Sequence, residues 1–217
     1  MSGWYWRDLT PFSYGAIMMD FPWRFDSYSE KGQGRSPNYD KMTIEEIYNL
    51  PVGELASKNC ALFMWLTSTM VGEVPSIMKH WGFRFSGKAF CWAKQTKQGV
   101  RKPVPSISDD YNWRMNMGYT TRANTEDCWL GFTGSPKRLS ASERELIVSP
   151  LYENSSKPDE AYARAERLYS GPYADVFSRR NRPGWDVFGD QVGSLDGSPR
   201  LESGSPSFTP VTARVER

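Results

Sequence analysis

Short apolar runs and stretches with helical spacing take turns along this chain, and polar segments bearing glycine and proline separate them. Residues 16–20 form the first run, Ala-Ile-Met-Met ahead of Asp20, and Phe21, Pro22 and Trp23 follow. An unbroken apolar run cut off by proline suits a strand buried on both faces of a parallel sheet. Thr43-Ile44-Glu45-Glu46 reads as a capping box that opens a helix, and Pro51 closes it. Residues 60–67 repeat the buried-strand pattern. Val71, Val74, Met78 and Trp81 then recur at helical spacing before Gly82, a natural stop. Residues 83–93 alternate as a strand, and 126–133 and 146–149 read as two more. Ser156-Lys157-Pro158-Asp159 predicts a second capping box, with proline in the first turn. Its helix keeps Ala161, Ala165 and Leu168 on one face and ends near Gly171. Residues 173–177 and 185–188 are the last strands. Strands and helices in alternation predict an α/β fold with a mostly parallel sheet.

Four stretches lack a period. Residues 1–13 are an aromatic-rich lead. Residues 24–41 and 94–122 are too long for simple connectors, which predicts functional loops. Beyond residue 193, Ser, Gly and Pro dominate and the few apolar residues show no period. The expected organisation is one domain over 1–193 and a disordered tail over 194–217.

Composition narrows the function. With 217 residues, the chain can bury one sizeable core. A net charge of +2 makes any nucleic-acid surface a local patch. The Lys and Arg residues of the two long loops are interleaved with Tyr and Trp, which suits phosphate contacts and base stacking. Cys60, Cys91 and Cys128 are odd in number and lie in apolar runs, so reduced thiols in a cytoplasmic protein are expected. His80 is the single histidine, and no Cys/His spacing suits a metal. No apolar run approaches the length of a membrane span.

Asp20 closes the first strand, and open α/β folds bind ligands at the carboxyl ends of their strands. Taken alone, Asp20 is equally a solvated strand end beside a turn proline. No Gly-x-Gly-x-x-Gly follows a strand, so the residues by themselves name no cofactor.

Asp20-Phe21-Pro22-Trp23 resembles the Asp-Pro-Pro-Trp motif of amino-group methyltransferases that use S-adenosyl-L-methionine. Among these, the chain resembles the family of the seventy-kilodalton catalytic subunit of mRNA adenosine N6-methyltransferase. The likeness runs through Leu62-Phe63-Met64-Trp65-Leu66-Thr67, Trp81-Gly82-Phe83 and Thr121-Arg122-Ala123-Asn124. It continues in Glu126-Asp127-Cys128, Ser156-Lys157-Pro158-Asp159-Glu160 and Arg182-Pro183-Gly184-Trp185-Asp186, in the family's order from about residue 14 to 193. The resemblance implies a Rossmann-like methyltransferase fold with a circularly permuted motif order, and transfer of a methyl group to adenine N6 in nucleic acid. Short bacterial and phage-type members point to DNA ahead of RNA as the partner. A catalytically inactive nucleic-acid-binding subunit of the same fold is the reading from another class, and a homo- or heterodimer is open.

The resemblance also assigns the residues. Asp20 and the backbone carbonyl of Phe21 accept the two N6–H bonds, Pro22 holds the turn, and Trp23 faces the base. Lys157 meets the cofactor's carboxylate. Asp20, Arg179, Asn181, Asp190 and Gln191 complete the cofactor set, while Arg24, Arg35, Lys97, Arg101, Lys102 and Arg122 serve the nucleic acid. Phe21 stands where the family has its first proline. A looser site or an altered base pocket is the expected consequence, since a Phe ring needs space that proline does not.

Overall fold

The computed structural model describes residues 4–22, 42–96, 113–115, 120–151 and 156–197. Trp23, Arg24, Arg35, Lys97, Arg101, Lys102 and residues 198–217 of the expected tail lie outside the described residues.

Seven strands form one sheet. At its centre β1 (Tyr14–Asp20) and β2 (Ala56–Leu66) lie parallel, with Ile17 opposite Leu62 and Asp20 opposite Trp65. β6 (Tyr173–Val176) pairs parallel with the other side of β1, and β7 (Trp185–Phe188) parallel with β6. On the far side of β2, β4 (Thr125–Thr133) runs antiparallel to β2 and to β3 (Arg84–Gln95), and β5 (Leu146–Pro150) pairs parallel with β3. The order is β5-β3-β4-β2-β1-β6-β7, in which β4 alone opposes the rest. This is an α/β, Rossmann-like fold with a mostly parallel sheet.

The unbroken apolar runs of β1 and β2 have a direct cause: both strands are covered on both faces. On one face Ile17, Met19, Leu62 and Met64 pack against Ile47 of α1 (Ile44–Tyr48) and Ile77 and Met78 of α2 (Val74–His80). On the other, Met18, Phe63 and Trp65 meet Ala161 and Ala165 of α3 (Asp159–Leu168). The aromatic lead, which has no period of its own, belongs to this core. Trp6 is fully buried, its ring lies 5.1 Å from that of Phe188, and its indole N–H donates to the Pro51 carbonyl at 3.0 Å.

The expected box at α1 forms: Thr43 Oγ1 accepts from the Glu46 N–H at 3.2 Å, and Glu46 Oε2 accepts from the Thr43 N–H at 2.7 Å. The box expected at Ser156 does not. Pro158, extended at φ −66° and ψ 136°, is the cap residue of α3, and no side chain caps the helix. The extended backbone carries Ser156 too far upstream to reach the first turn. The helix expected from Val71 begins at Val74, where Pro75 fits a first turn, and a 3₁₀ turn (Ser68–Glu73) takes up the preceding residues. β3 runs two residues past its expected end, so Lys94 and Gln95 leave the predicted loop and join the sheet. Residues 194–197, placed in the tail by composition, close on the loop after β6: the Leu195 N–H donates to the Arg179 carbonyl at 3.1 Å. Cys60 and Cys128 are buried, Cys91 is half-buried, and all three are free thiols. Among the described residues, no group of His, Cys, Asp and Glu could hold a metal ion, and no helix is long and apolar enough to cross a membrane.

Candidate functional site

The parallel strands deliver their carboxyl ends to one edge of the sheet. β1 ends there in Asp20, β3 in Lys94 and Gln95, and β6 leads into the 177–181 turn. Because β4 runs the other way, its beginning arrives at the same edge and brings Glu126 with it. Lys157, just before α3, reaches into this gathering from the α3 face of the sheet, the face that Met18, Trp65 and Cys128 also line.

These residues form a chain of alternating charges. Lys157 Nζ lies 2.7 Å from Asp20 Oδ2 and 2.9 Å from Glu126 Oε1. Glu126 Oε2 in turn accepts from Lys94 Nζ at 2.5 Å. The Lys157 side chain is 5% exposed and that of Glu126 13%, while Asp20 at 26% keeps one side toward the cleft. Burial works against every charge here, and the partners decide the balance. For Lys157, burial lowers the pKa, but the carboxylates of Asp20 and Glu126 outweigh it and raise the value, so the ammonium stays charged. For Glu126, burial raises the pKa, and Lys157 and Lys94 outweigh it and hold it down to about 2. For Asp20, burial pushes the carboxyl upward and Glu126 adds to the push, while Lys157 pulls against both. Lys94 and Glu126 have no place in the sequence-based site. Glu126 lies in a segment that resembles the family but has no assigned role there, and 32 positions separate Lys94 from Glu126 and 31 separate Glu126 from Lys157.

The cleft beside this chain is lined by Asp20, Lys157, Asp175, Ser178, Arg179 and Arg180, among others. Of the residues expected to bind the cofactor, Asp20, Lys157 and Arg179 line this cleft. Asn181 is turned elsewhere: its side-chain amide donates to Asp196 Oδ2 at 2.7 Å and its backbone N–H to Asp196 Oδ1 at 2.8 Å. Asp190 and Gln191 follow β7, with Asp190 exposed and close enough to Tyr5 to raise its pKa, behind burial. Arg122 is exposed, three residues before β4. The Pro22 carbonyl accepts from the Met42 N–H at 2.8 Å, which holds Met42 beside the end of β1.

Phe21 corrects an expectation. Its ring does not enter the base pocket. It is 3% exposed, in the core on the α2 side, 5.6 Å from the Trp81 ring and 5.3 Å from the Phe177 ring. Side chains alternate along an extended chain, so Asp20 faces the cleft and Phe21 faces the core. Phe21→Pro is therefore expected to destabilise the protein by about 3 kcal/mol, the usual order for losing a buried aromatic ring. Chemical denaturation measures this, and an unchanged midpoint would show that the ring is not held in the core.

The MT-A70 family profile matches residues 14–191. The chain is 25% identical over 190 residues to an N(6)-adenosine-methyltransferase MT-A70-like protein of Arabidopsis thaliana, covering 84% of this chain and 24% of that one. It is 26% identical over 186 residues to the human N(6)-adenosine-methyltransferase catalytic subunit METTL3, covering 84% of this chain and 29% of that protein. With the type II methyltransferase M.MunI of a Mycoplasma species it shares 22% over 199 residues, covering 82% of this chain and 78% of the other. The chain spans about a quarter of the length of the eukaryotic relatives and most of the length of M.MunI. By the extent of that match, from the first strand to the residues after the last, the chain belongs to the MT-A70 family.

Proposed function

We propose that this chain transfers a methyl group from S-adenosylmethionine to N6 of adenine in nucleic acid, with DNA as the substrate. The single observation that carries the reading is the Asp20–Lys157 pair at the carboxyl edge of the sheet in a member of this family. S-adenosylmethionine, when bound, supplies an electrophilic methyl group. Adenine N6 is a weak nucleophile because its lone pair is delocalised into the ring. Asp20 accepts one N6–H, and the backbone carbonyl of Phe21 accepts the other. Together they turn the lone pair out of the ring plane toward the methyl group. Fixed acceptors of this kind act through positioning and preorganised charge. Lys157 keeps the Asp20 carboxylate ionised and oriented. The amine releases one proton as its new bond forms, and Asp20 is the acceptor at hand.

The cleft suits a ligand that carries both signs of charge. Lys157 and Arg179 line it as cations and Asp20 as a carboxylate. Two N–H groups of Lys157 are engaged by Asp20 and Glu126, which leaves the third for a ligand carboxylate. Asp190 and Gln191 are assigned to ribose hydroxyls. Trp23 is assigned to stack on the target base, and an adenine in a duplex would have to leave the stack to reach Asp20. The alignment with most of a type II methyltransferase supports DNA over RNA.

The test is a transfer assay with labelled S-adenosylmethionine on duplex DNA, single-stranded DNA and RNA of matched sequence, followed by identification of the methylated base. N6-methyldeoxyadenosine is expected. Label in RNA alone would overturn the substrate. Binding of S-adenosylmethionine with no transfer to any of the three would favour an inactive subunit.

A further inference from the structure

The next-to-last residue of β6 is a buried carboxylate to which the proposed reaction gives no step. Asp175 is 2% exposed, and Ser178, three residues on, is 7% exposed. Ser178 Oγ lies 2.8 Å from Asp175 Oδ2 and also 2.8 Å from the Arg180 carbonyl oxygen. The Arg180 N–H donates to the same Oγ at 3.3 Å. A hydroxyl has one proton to give and here faces two acceptors. With Asp175 ionised, one of the two short contacts sets oxygen against oxygen with no hydrogen between them. With a proton on Asp175 every contact becomes a hydrogen bond: Asp175 O–H donates to Ser178 Oγ, Ser178 O–H donates to the Arg180 carbonyl, and the Arg180 N–H donates to Oγ.

We infer that Asp175 is a proton-carrying positioning residue, which closes the 177–181 turn when protonated and releases it when ionised. Phe177 sits at φ 63°, a left-handed conformation that a bulky side chain adopts only when its surroundings impose it. The Ser178 N–H donates to the Phe188 carbonyl at 3.0 Å, and a Cβ at Gly189 would lie 2.4 Å from the Ser178 carbonyl oxygen, so β7 packs tightly against the closed turn. The turn carries Arg179 into the cleft alongside Asp20 and Lys157.

The groups facing Asp175 set the sense of the switch. Tyr162 approaches from α3, with the Arg182 guanidinium stacked 3.6 Å above its ring. Asp20 faces it from β1, and Lys157, Arg179 and Arg180 stand on the walls of the same cleft. Burial pushes the Asp175 carboxyl upward, to about 6, against the pull of Ser178, Arg182 and Tyr162 and with a further push from Asp20. Opening the turn returns the carboxyl to water and to its ordinary value. The closed state is therefore favoured below about pH 6 and is lost as pH rises through that value.

The effect on the cofactor rests on reading the cleft as the S-adenosylmethionine site, whereas the state of the turn does not. Hydrogen–deuterium exchange of the 178–181 amides, corrected for intrinsic rates, follows the turn from pH 5 to pH 8. Titration with S-adenosylhomocysteine, which has no sulfonium charge, follows the cleft in the same buffers. In the wild type, protection of the turn is expected to fall about tenfold or more across this range, with a parallel loss of affinity. Asp175→Asn places an N–H donor against Ser178 at every pH and should stay protected throughout. Ser178→Ala should be weakly protected throughout. Protection that is independent of pH in the wild type, or that falls equally in Asp175→Asn, overturns the inference. Protection that falls with no change in affinity overturns the positioning role. If the turn behaves as expected but S-adenosylhomocysteine does not bind at any pH, the cofactor reading fails and the proton switch stands.

Discussion

Asp20→Asn is expected to leave the protein folded and to lower methyl transfer roughly a hundred- to a thousandfold, the range for removing one preorganised group at a reacting centre. Asparagine keeps the shape of aspartate but not its two acceptors. Asp20 has two donors to satisfy, Lys157 Nζ at 2.7 Å and the incoming amine. If the asparagine oxygen turns toward Lys157, its NH₂ opposes the N6–H. If it turns toward the amine, its NH₂ opposes an ammonium. Neither rotamer serves both, so the amine loses its anionic acceptor. The fold survives because Lys157 keeps Glu126 at 2.9 Å. The pH profile separates this role from a structural one. Burial raises the Asp20 pKa, so wild-type transfer should fall as pH drops through that raised value, and the residual rate of Asp20→Asn should lack this limb. Near-normal turnover in the variant, at unchanged melting temperature, would remove Asp20 from the reaction.

The parts of this molecule legible in the sequence are those where one local rule decides the outcome. Residues 16–20 and 60–66 read as buried strands because they are covered on both faces, so no polar residue interrupts them. Thr43 and Glu46 read as a cap because both partners of the bond lie three residues apart. The box at Ser156 failed by the same logic, since Pro158 holds the backbone extended between the expected partners. The lead around Trp6 had no period to detect, because it contributes single anchors to a core that other elements build. The site divides in the same way. Asp20, Lys157 and Arg179 were found through resemblance in short motifs, and the cleft brings them together. Lys94, Glu126 and Asp175 received no role from the sequence, because their roles depend on topology. Glu126 comes to the edge where the parallel strands end only because β4 runs against its neighbours, and strand direction is not written in the residues of one strand. The ring of Phe21 was misplaced for a related reason: its neighbours across the core, Trp81 and Phe177, lie far along the chain.

Removing Glu126 should damage the protein more than removing either of its lysines. Among the described residues, Glu126 is the one carboxylate that contacts both Lys94 and Lys157, at 2.5 and 2.9 Å. Glu126→Ala leaves two buried ammonium groups with Asp20 as the remaining carboxylate of the chain, and breaking a buried pair in this way costs roughly 3–5 kcal/mol. Against burial, Lys157 and Lys94 hold the Glu126 pKa down from 4.5 to about 2, so the ionised form stabilises the fold. The sign follows from the direction of the shift: this stability is fully present above the unfolded value of 4.5 and is lost as pH falls toward 2. Glu126→Ala should therefore lower the melting temperature at neutral pH by roughly 10 °C, at about 2–4 °C per kcal/mol for a domain of this size. Glu126→Gln should fall between the two, since its carbonyl serves one lysine while its NH₂ repels the other. Lys94→Met combined with Glu126→Gln should recover part of the loss, because the charge left without a partner is removed with its carboxylate. Thermal melts of the four proteins between pH 3 and pH 7 decide the matter. If the wild type and Glu126→Ala converge at low pH and separate above 4.5, the charge chain is structural support for Lys157 and so for Asp20. If they melt together at every pH, Glu126 is a bystander and Lys157 must hold its position through Asp20 alone.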